Sequence, residues 1–179
     1  MTKGVNFRKT TLWLTLTAVF TAMNIALSSF GIPVPGGHLY FNDVVICTAA
    51  ILFDPLSAFI VGGVGAFLGD LFFYPAPMFV SLVTHGIQAV VISVFSHYVL
   101  KKKPVLSSGI GVTLGALINI VGYSVGRMFF YGDKTVAVMI AKLPFQALQA
   151  VGCAILAMYV CWVFGIRKLY LKMTAKHAK

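Results

Sequence analysis

Apolar residues run along this chain in long blocks, and polar ones interrupt them at helical rather than alternating intervals. Six blocks stand out, near 10–30, 41–53, 55–74, 78–99, 109–131 and 136–165, each bounded by proline, glycine or charge. All but one have roughly the 20 residues that a helix needs to cross a hydrocarbon layer about 30 Å thick. The exception, 41–53, is short for a span. With 55–74 it reads as two tilted helices meeting at Asp54-Pro55, or as a re-entrant hairpin about that dipeptide; two helices are favoured. No heptad, low-complexity linker or internal repeat is visible, which disfavours transporters built from duplicated halves.

Polar side chains inside the blocks are informative because a bilayer offers them no partner. Ser81, His85 and Gln88 share one face of the fourth segment, Asn119, Tyr123 and Arg127 one face of the fifth, and Lys142, Gln146 and Gln149 one face of the sixth. Three successive helices that turn polar stripes inward at similar depth describe a small hydrogen-bonding pocket. Each residue also has a plainer role. A lone amide commonly bonds a neighbouring helix, His85 can pack, and Arg127 can snorkel or pair with Asp70. The convergence of the stripes favours the pocket. Early in the chain the pattern differs: Ala18, Ala22 and Ala26 recur every four residues, as do Gly62, Gly65 or Ala66, and Gly69 in the third segment. Such faces let another helix approach closely, within the protein or on a partner. The expected division is small residues early and polar stripes late. Between them the loop IPVPGGHLYFND at 32–43 presents His38, Tyr40, Asn42 and Asp43, either as a lid over an outward site or as an interfacial turn anchored by Tyr40 and Phe41.

Composition strengthens the membrane reading, since 59% of residues are hydrophobic and only 10% charged, too few to clothe a soluble domain. The net charge of +10 would suggest nucleic acid, but its distribution argues otherwise. Eleven of the 14 basic residues fall at three sites: Lys3, Arg8 and Lys9; Lys101, Lys102 and Lys103; and Arg167, Lys168, Lys172, Lys176 and Lys179. An even number of spans separates these sites, so they share one side, as the positive-inside pattern requires. Their partners are lipid headgroups rather than nucleic acid. Both termini are then cytoplasmic and the loops at 31–40, 75–77 and 132–135 lie outside. The N-terminus resembles a signal peptide, but five further segments favour an uncleaved first helix. The expected fold is an all-α integral membrane protein, a compact bundle of six transmembrane helices in a single domain spanning 1–179.

Catalytic chemistry has little to work with. Glutamate is absent and the acids are Asp43, Asp54, Asp70 and Asp133. No metalloprotease, serine-hydrolase or phosphate-loop motif occurs. Cys47, Cys153 and Cys161 lie in apolar segments without metal-ligand spacing and read as small buried residues. No catalytic residue, metal or cofactor is expected on this chain, and an ATP-driven function would use partner ATPases.

The ordered set of features resembles a family, the substrate-binding S components of energy-coupling factor (ECF) transporters, which import vitamins into prokaryotes. The resemblance rests on Ala18-x-x-x-Ala22, the block FNDVVICTAAILFDPLSAFIVGGVGAFLGD, the PFQALQAVGCAIL pattern, chain size and segment count, and it covers essentially the whole chain. It looks closest to the riboflavin, hydroxymethylpyrimidine and pyridoxine-type branch. The resemblance implies a multi-pass subunit of the prokaryotic plasma membrane. Its Ala18, Ala22 and Ala26 face would dock on a transmembrane coupling protein joined to two cytoplasmic ATPases. His85, Gln88, Asn119, Tyr123, Arg127, Lys142, Gln146 and Gln149 would hold the vitamin beneath a lid bearing His38, Tyr40 and Asn42. Where that branch often has an acid four residues after the tyrosine of helix five, this chain has Arg127, and Lys142 stands at a second such position. These reversals favour a carboxylate- or phosphate-bearing ligand, with Asp70 as the rival partner of Arg127. A self-sufficient secondary transporter and a membrane scaffold are the alternatives.

Overall fold

A computed structural model describes residues 11–35, 37–129 and 136–177. The basic residues Lys3, Arg8 and Lys9, the loop 132–135 and the side chain of Arg127 lie outside the described parts. The chain forms α1 (Thr11–Ser28), a hairpin of β1 (Ile32–Val34) and β2 (Gly37–Leu39), then α2 (Asn42–Leu52) and α3 (Pro55–Phe73). After these come α4 (Met78–Tyr98), α5 (Pro104–Phe129), α6 (Val136–Trp162) and α7 (Ile166–His177). Among the described residues, five helices, α1, α3, α4, α5 and α6, are long and apolar enough to cross a membrane.

The short segment takes the most protected place. With 11 residues, α2 is about 16 Å long at 1.5 Å per residue, half the thickness of the hydrocarbon layer. Every residue in it except Val44 is buried, because α1, α3, α4 and α6 pack around it. Beyond the first turn its sequence, NDVVICTAAIL, is apolar all round apart from Thr48, as a helix with little solvent or lipid face should be. Four of the five long helices thus enclose the short segment, which was expected to be one of two tilted helices in a six-segment bundle. Helices α2 and α3 meet at Asp54, whose carboxylate accepts from the Leu56 amide at 3.3 Å and from Ser57 Oγ at 2.8 Å and so caps α3.

Helix α1 is turned inside out relative to a helix on a soluble protein. It buries Thr17, Asn24 and Ser28 and exposes Leu14, Val19 and Met23 together with Ala18, Ala22 and Ala26. The buried amide has a specific acceptor. A π-helical turn at Ile60–Val64 interrupts α3, and Asn24 Nδ2 donates to the Val61 carbonyl at 2.6 Å. Glycines let the helices approach this closely. A Cβ added at Gly65 would lie 2.7 Å from Asn24 Nδ2, and one at Gly62 would lie 2.7 Å from Ala89 Cβ and 2.9 Å from the His85 carbonyl oxygen. A second glycine ladder runs down α5 against α4, where a Cβ at Gly115 would meet Ile92 Cδ1 at 2.7 Å. The expected division is therefore corrected: α5 carries small residues and a polar stripe together, because its polar side chains reach α4 only where glycines bring the two backbones close.

The bundle has two distinct ends. Trp13 Nε1 donates to Asp54 at 2.9 Å, His97 Nε2 lies 3.3 Å from the Leu52 carbonyl oxygen, and the Tyr170 ring meets Phe53 edge-on at 5.4 Å. The start of α1, the α2–α3 turn, the end of α4 and α7 therefore gather at one end, with Lys101–Lys103 in the adjacent loop. Helix α7 was not foreseen. The sixth segment, expected to run to 165, stops at Trp162 because Gly165 takes a left-handed φ of 72° and turns the chain. Arg167 then stacks over the Trp162 ring at 4.8 Å. Helix α5 begins at Pro104, five residues earlier than expected, its proline filling a first-turn position that needs no amide donor. The hairpin occupies the opposite end.

Candidate functional site

Beneath the hairpin, side chains from five helices join in one hydrogen-bonded cluster. Its centre is Asp43, 1% exposed, in the first turn of α2, where the positive end of the helix dipole favours an acid. Gln149 Nε2 of α6 donates to Asp43 Oδ2 at 2.8 Å. Around Oδ1 stand Gln88 Nε2 at 3.3 Å, His85 Nδ1 at 3.4 Å and Asn119 Nδ2 at 3.5 Å. Asn119 Nδ2 also donates to Gln88 Oε1 at 3.1 Å, and His85 Nδ1 lies 2.9 Å from that same oxygen. The sulfur of Cys47, one turn along α2, lies 3.8 Å from Gln88 Nε2.

A second arm extends from the other face of the imidazole. Tyr123 Oη lies 3.0 Å from His85 Nε2, with the two rings in an edge-to-face arrangement 5.4 Å apart. The tyrosine also meets Ser81 Oγ at 2.5 Å, and Ser81 donates in turn to Asp70 of α3. The network thus joins the buried carboxylate of Asp43 to the half-buried one of Asp70 through serine, tyrosine and histidine.

The hairpin is held over this cluster from α6. Lys142 Nζ donates to the His38 carbonyl at 2.7 Å, and the Tyr40 amide donates to Gln149 Oε1 at 3.1 Å. One glutamine therefore bonds the lid through its oxygen and the floor through its nitrogen. The Tyr40 ring packs against Gly31, where a Cβ would come within 2.9 Å. Burial, reinforced by the negative fields of Asp70 and Tyr74, pushes the Tyr40 phenol up to about 12, so it stays neutral and able to donate. The His38 ring lies against Tyr40 and Tyr74, at 6.1 Å and 5.7 Å between centroids.

Of the residues singled out in the sequence, His85, Gln88, Asn119, Tyr123 and Gln149 come together in this cluster. Gln146 lies one step away, its Nε2 bonding the Asn119 carbonyl at 3.0 Å. Lys142 meets the lid, and Arg127 sits on α5 with its side chain outside the described residues, so its pairing with Asp70 or a ligand is an open expectation. Asn42 departs from the lid assignment. It begins α2, is buried, and donates to Ser28 Oγ at 3.1 Å, tying α2 to α1. Sequence reasoning missed Asp43 as the centre, treating it as a polar loop tip. The signal was the acid at the head of a helix too short to span, since short or broken helices often aim their ends at membrane sites. Ser81 was noted in a stripe without a role.

A groove of about 350 Å³ also lies beside the hairpin, lined by Tyr40, Phe41, Val44, Leu148, Gln149 and Ile155 among others. Only Gln149 belongs to the cluster, and Leu148 and Ile155 are exposed on the bundle's flank. Its chemistry is that of a lipid-facing crevice, distinct from the polar site.

Comparison with known proteins adds three findings. The family model for the S component of ECF-type riboflavin transporters matches residues 8–164. A protein of Pyrococcus woesei, described as an uncharacterized protein in a gap 3' region, is 32% identical over 113 residues, covering 62% of this chain and 74% of that protein. The thiamine precursor transporter HmpT of Lactococcus lactis subsp. cremoris is 44% identical over 80 residues, covering 42% of this chain and 48% of HmpT.

Proposed function

The chain belongs to the family of S components of ECF-type riboflavin transporters, and from that premise we propose that it captures a water-soluble vitamin or vitamin precursor outside the cell for ATP-driven uptake. The family is a multi-pass transport component of the plasma membrane rather than an enzyme. The observation that carries the reading is the enclosed cluster of Asp43, His85, Gln88, Asn119, Tyr123 and Gln149 beneath a latched hairpin. Side chains that bond mainly to one another can exchange those bonds for bonds to a ligand without breaking a helix. The substrate belongs to the hydroxymethylpyrimidine, vitamin B6 or riboflavin class, a range supported by the kinship with a thiamine precursor transporter.

The orientation follows from charge. Lys101–Lys103, Arg167 and Lys168 gather at the end opposite the hairpin, so the positive-inside rule turns that end to the cytoplasm and the lid outward. Both termini are then cytoplasmic, and the α2–α3 pair counts as two passes of a six-segment topology. The exposed Ala18, Ala22 and Ala26 on α1 offer the close-packing face for a transmembrane coupling protein, which would connect the chain to two ATPase subunits that use the ATP. This chain would bind its vitamin with no cofactor of its own.

The test is to purify the full chain in mild detergent and identify small molecules that accompany it by mass spectrometry. A vitamin-class compound near one per chain is expected. Absence of any such compound, with no thermal shift across a vitamin panel, overturns the reading. Uptake that persists without the ATPases would instead indicate a self-sufficient transporter.

A further inference from the structure

Helix α7 carries no acid along its 12 residues, and it lies at the end of the bundle opposite the hairpin. One of its faces is occupied by the protein itself. Ile166 and Tyr170, four residues apart, pack against the core, where the Tyr170 ring meets Phe53 at 5.4 Å. Arg167 beside them covers the Trp162 ring at 4.8 Å. Lys168 and Lys172, also four apart, project from the opposite face and are exposed. Like charges at that spacing destabilise a helix standing in water. Leu169 and Leu171, 58% and 48% exposed, flank the lysines on either side, and Val163 and Phe164 are exposed in the turn that leads into the helix.

The neighbouring loop repeats this pattern. Lys101, Lys102 and Lys103 are exposed next to exposed Tyr98 and Leu100, in a turn that holds Leu100 at a left-handed φ of 35°, uncommon for a side chain of that size. The α2–α3 turn lies between the two basic segments, since the Leu52 carbonyl faces His97 of α4 and Phe53 faces Tyr170. Among the described residues Asp54 is the acid at this end, and its carboxylate accepts from Trp13, Ser57 and the Leu56 amide. One carboxylate stands against six cations, Lys101–Lys103, Arg167, Lys168 and Lys172. Their charge is balanced from outside the chain.

We infer that α7 is a membrane-surface helix that binds the phosphate headgroups of anionic phospholipid, with the Lys101–Lys103 turn completing the surface. The lysine heads reach the phosphates while their stems and the flanking leucines enter the acyl boundary. An acidic protein surface would satisfy the lysines and leave the exposed leucines, Val163 and Phe164 without apolar cover; lipid supplies both partners. Charge distribution alone assigns a loop to one side of the membrane. A helix fixed to the bundle through Tyr170 and Arg167 goes further, because it presents its lysines at set positions, and lipid held there favours the folded chain. In the orientation proposed above, the lipid belongs to the cytoplasmic leaflet.

The chain's two tryptophans, Trp13 and Trp162, both lie at this end and serve as reporters. The full chain is reconstituted in phosphatidylcholine vesicles, and part of the lipid is replaced by phosphatidylglycerol or phosphatidylcholine with brominated acyl chains, which quench indole fluorescence on contact. Phosphatidylglycerol is expected to quench at about a tenfold lower mole fraction, since each basic residue near an anionic surface strengthens attraction roughly fivefold. The preference should fall to within about twofold in about 1 M salt, where the Debye length is about 3 Å. Lys168→Gln combined with Lys172→Gln should lower it at least about fivefold, with Lys101–Lys103 and Arg167 left to hold the orientation, and arginine at both positions should retain it. Equal quenching by the two lipids in the unmodified chain overturns the inference, and is the result that a surface built for an acidic protein would give. A preference that survives the double glutamine change overturns the assignment to α7. Should that variant assemble poorly, the lipid preference and salt response of the unmodified chain decide alone.

Discussion

Asn24 and Asn119 are the same residue on two helices of one bundle, and both are fully enclosed, at 0% and 2% exposure. Asn24 gives its amide to a backbone carbonyl of the π turn in α3, at 2.6 Å, and Gly65 leaves just enough room for it. Asn119 gives its amide to side chains, Gln88 at 3.1 Å and Asp43 at 3.5 Å, with His85 Nδ1 also 3.5 Å away. The first bond can be broken only by moving a helix. The second set can be rearranged by rotating side chains while the backbones stay still. Polarity inside a membrane bundle therefore marks a candidate binding site only where the partners are themselves side chains. The α1–α3 region is built to be fixed, and the α4–α6 region is built to exchange partners.

The largest effect should come from forcing the two regions apart where they meet. Gly62 lies against both Ala89 and the His85 carbonyl, so Gly62→Val requires α3 and α4 to separate. A destabilisation of about 3 kcal/mol or more is expected, seen as loss of the monodisperse peak in size-exclusion chromatography. A variant that stays folded with unchanged binding would show that the glycine contact does not position His85.

The amide pair sharpens the comparison directly. Asn24→Ala strands the Val61 carbonyl in an apolar contact and should cost about 1–3 kcal/mol, or roughly 2–12 °C in Tm, with ligand affinity kept within about threefold. Asn119→Ala should do the reverse, moving Tm little and weakening the ligand about tenfold to a hundredfold, because one interhelical side-chain bond in a membrane protein is worth only about 0.6 kcal/mol on average. Thermal melting and calorimetry on the same preparations read both quantities. Matching profiles for the two variants would erase the distinction between the regions.

Periodicity made the long helices legible, because α1, α3, α4, α5 and α6 carry apolar blocks of spanning length with proline or glycine near their limits. The stripe through His85 and Gln88 and the one through Asn119 and Tyr123 were legible for the same reason, since a 3.6-residue repeat assigns faces without tertiary information. Asp43 was harder to read because its role depends on α2 being central, and a single short apolar block does not reveal how many neighbours enclose it. The glycine ladder of α5 went unweighted beside its polar stripe, although the stripe reaches α4 only through it. Asn42 looked like a loop tip because helix starts are the least certain part of a pattern, and one residue decided whether it faced the lid or Ser28. Helix α7 was hidden by the continuous apolarity up to Phe164, which masks the turn that Gly165 makes.

The smallest expected effect belongs to the hairpin, and it asks whether the exchangeable region includes its cover. Lys142 and Gln149 hold the same hairpin from positions two turns apart on α6, but only Gln149 also touches Asp43. Lys142→Met removes the 2.7 Å bond to the His38 carbonyl and leaves the floor intact. Its effect should fall on ligand release, with koff rising about fivefold while kon and Tm scarcely change, since differences among related complexes reside mostly in koff. Gln149→Leu removes a bond to the lid and one to the floor, so it should raise koff further and also lower affinity in calorimetry at equilibrium. If the two variants gave equal koff and equal affinity, Gln149 would be acting as a latch alone. A larger effect of Gln149→Leu on affinity than on lid opening, measured by hydrogen exchange of the Tyr40 amide, would place it with Asn119 among the side chains that exchange partners.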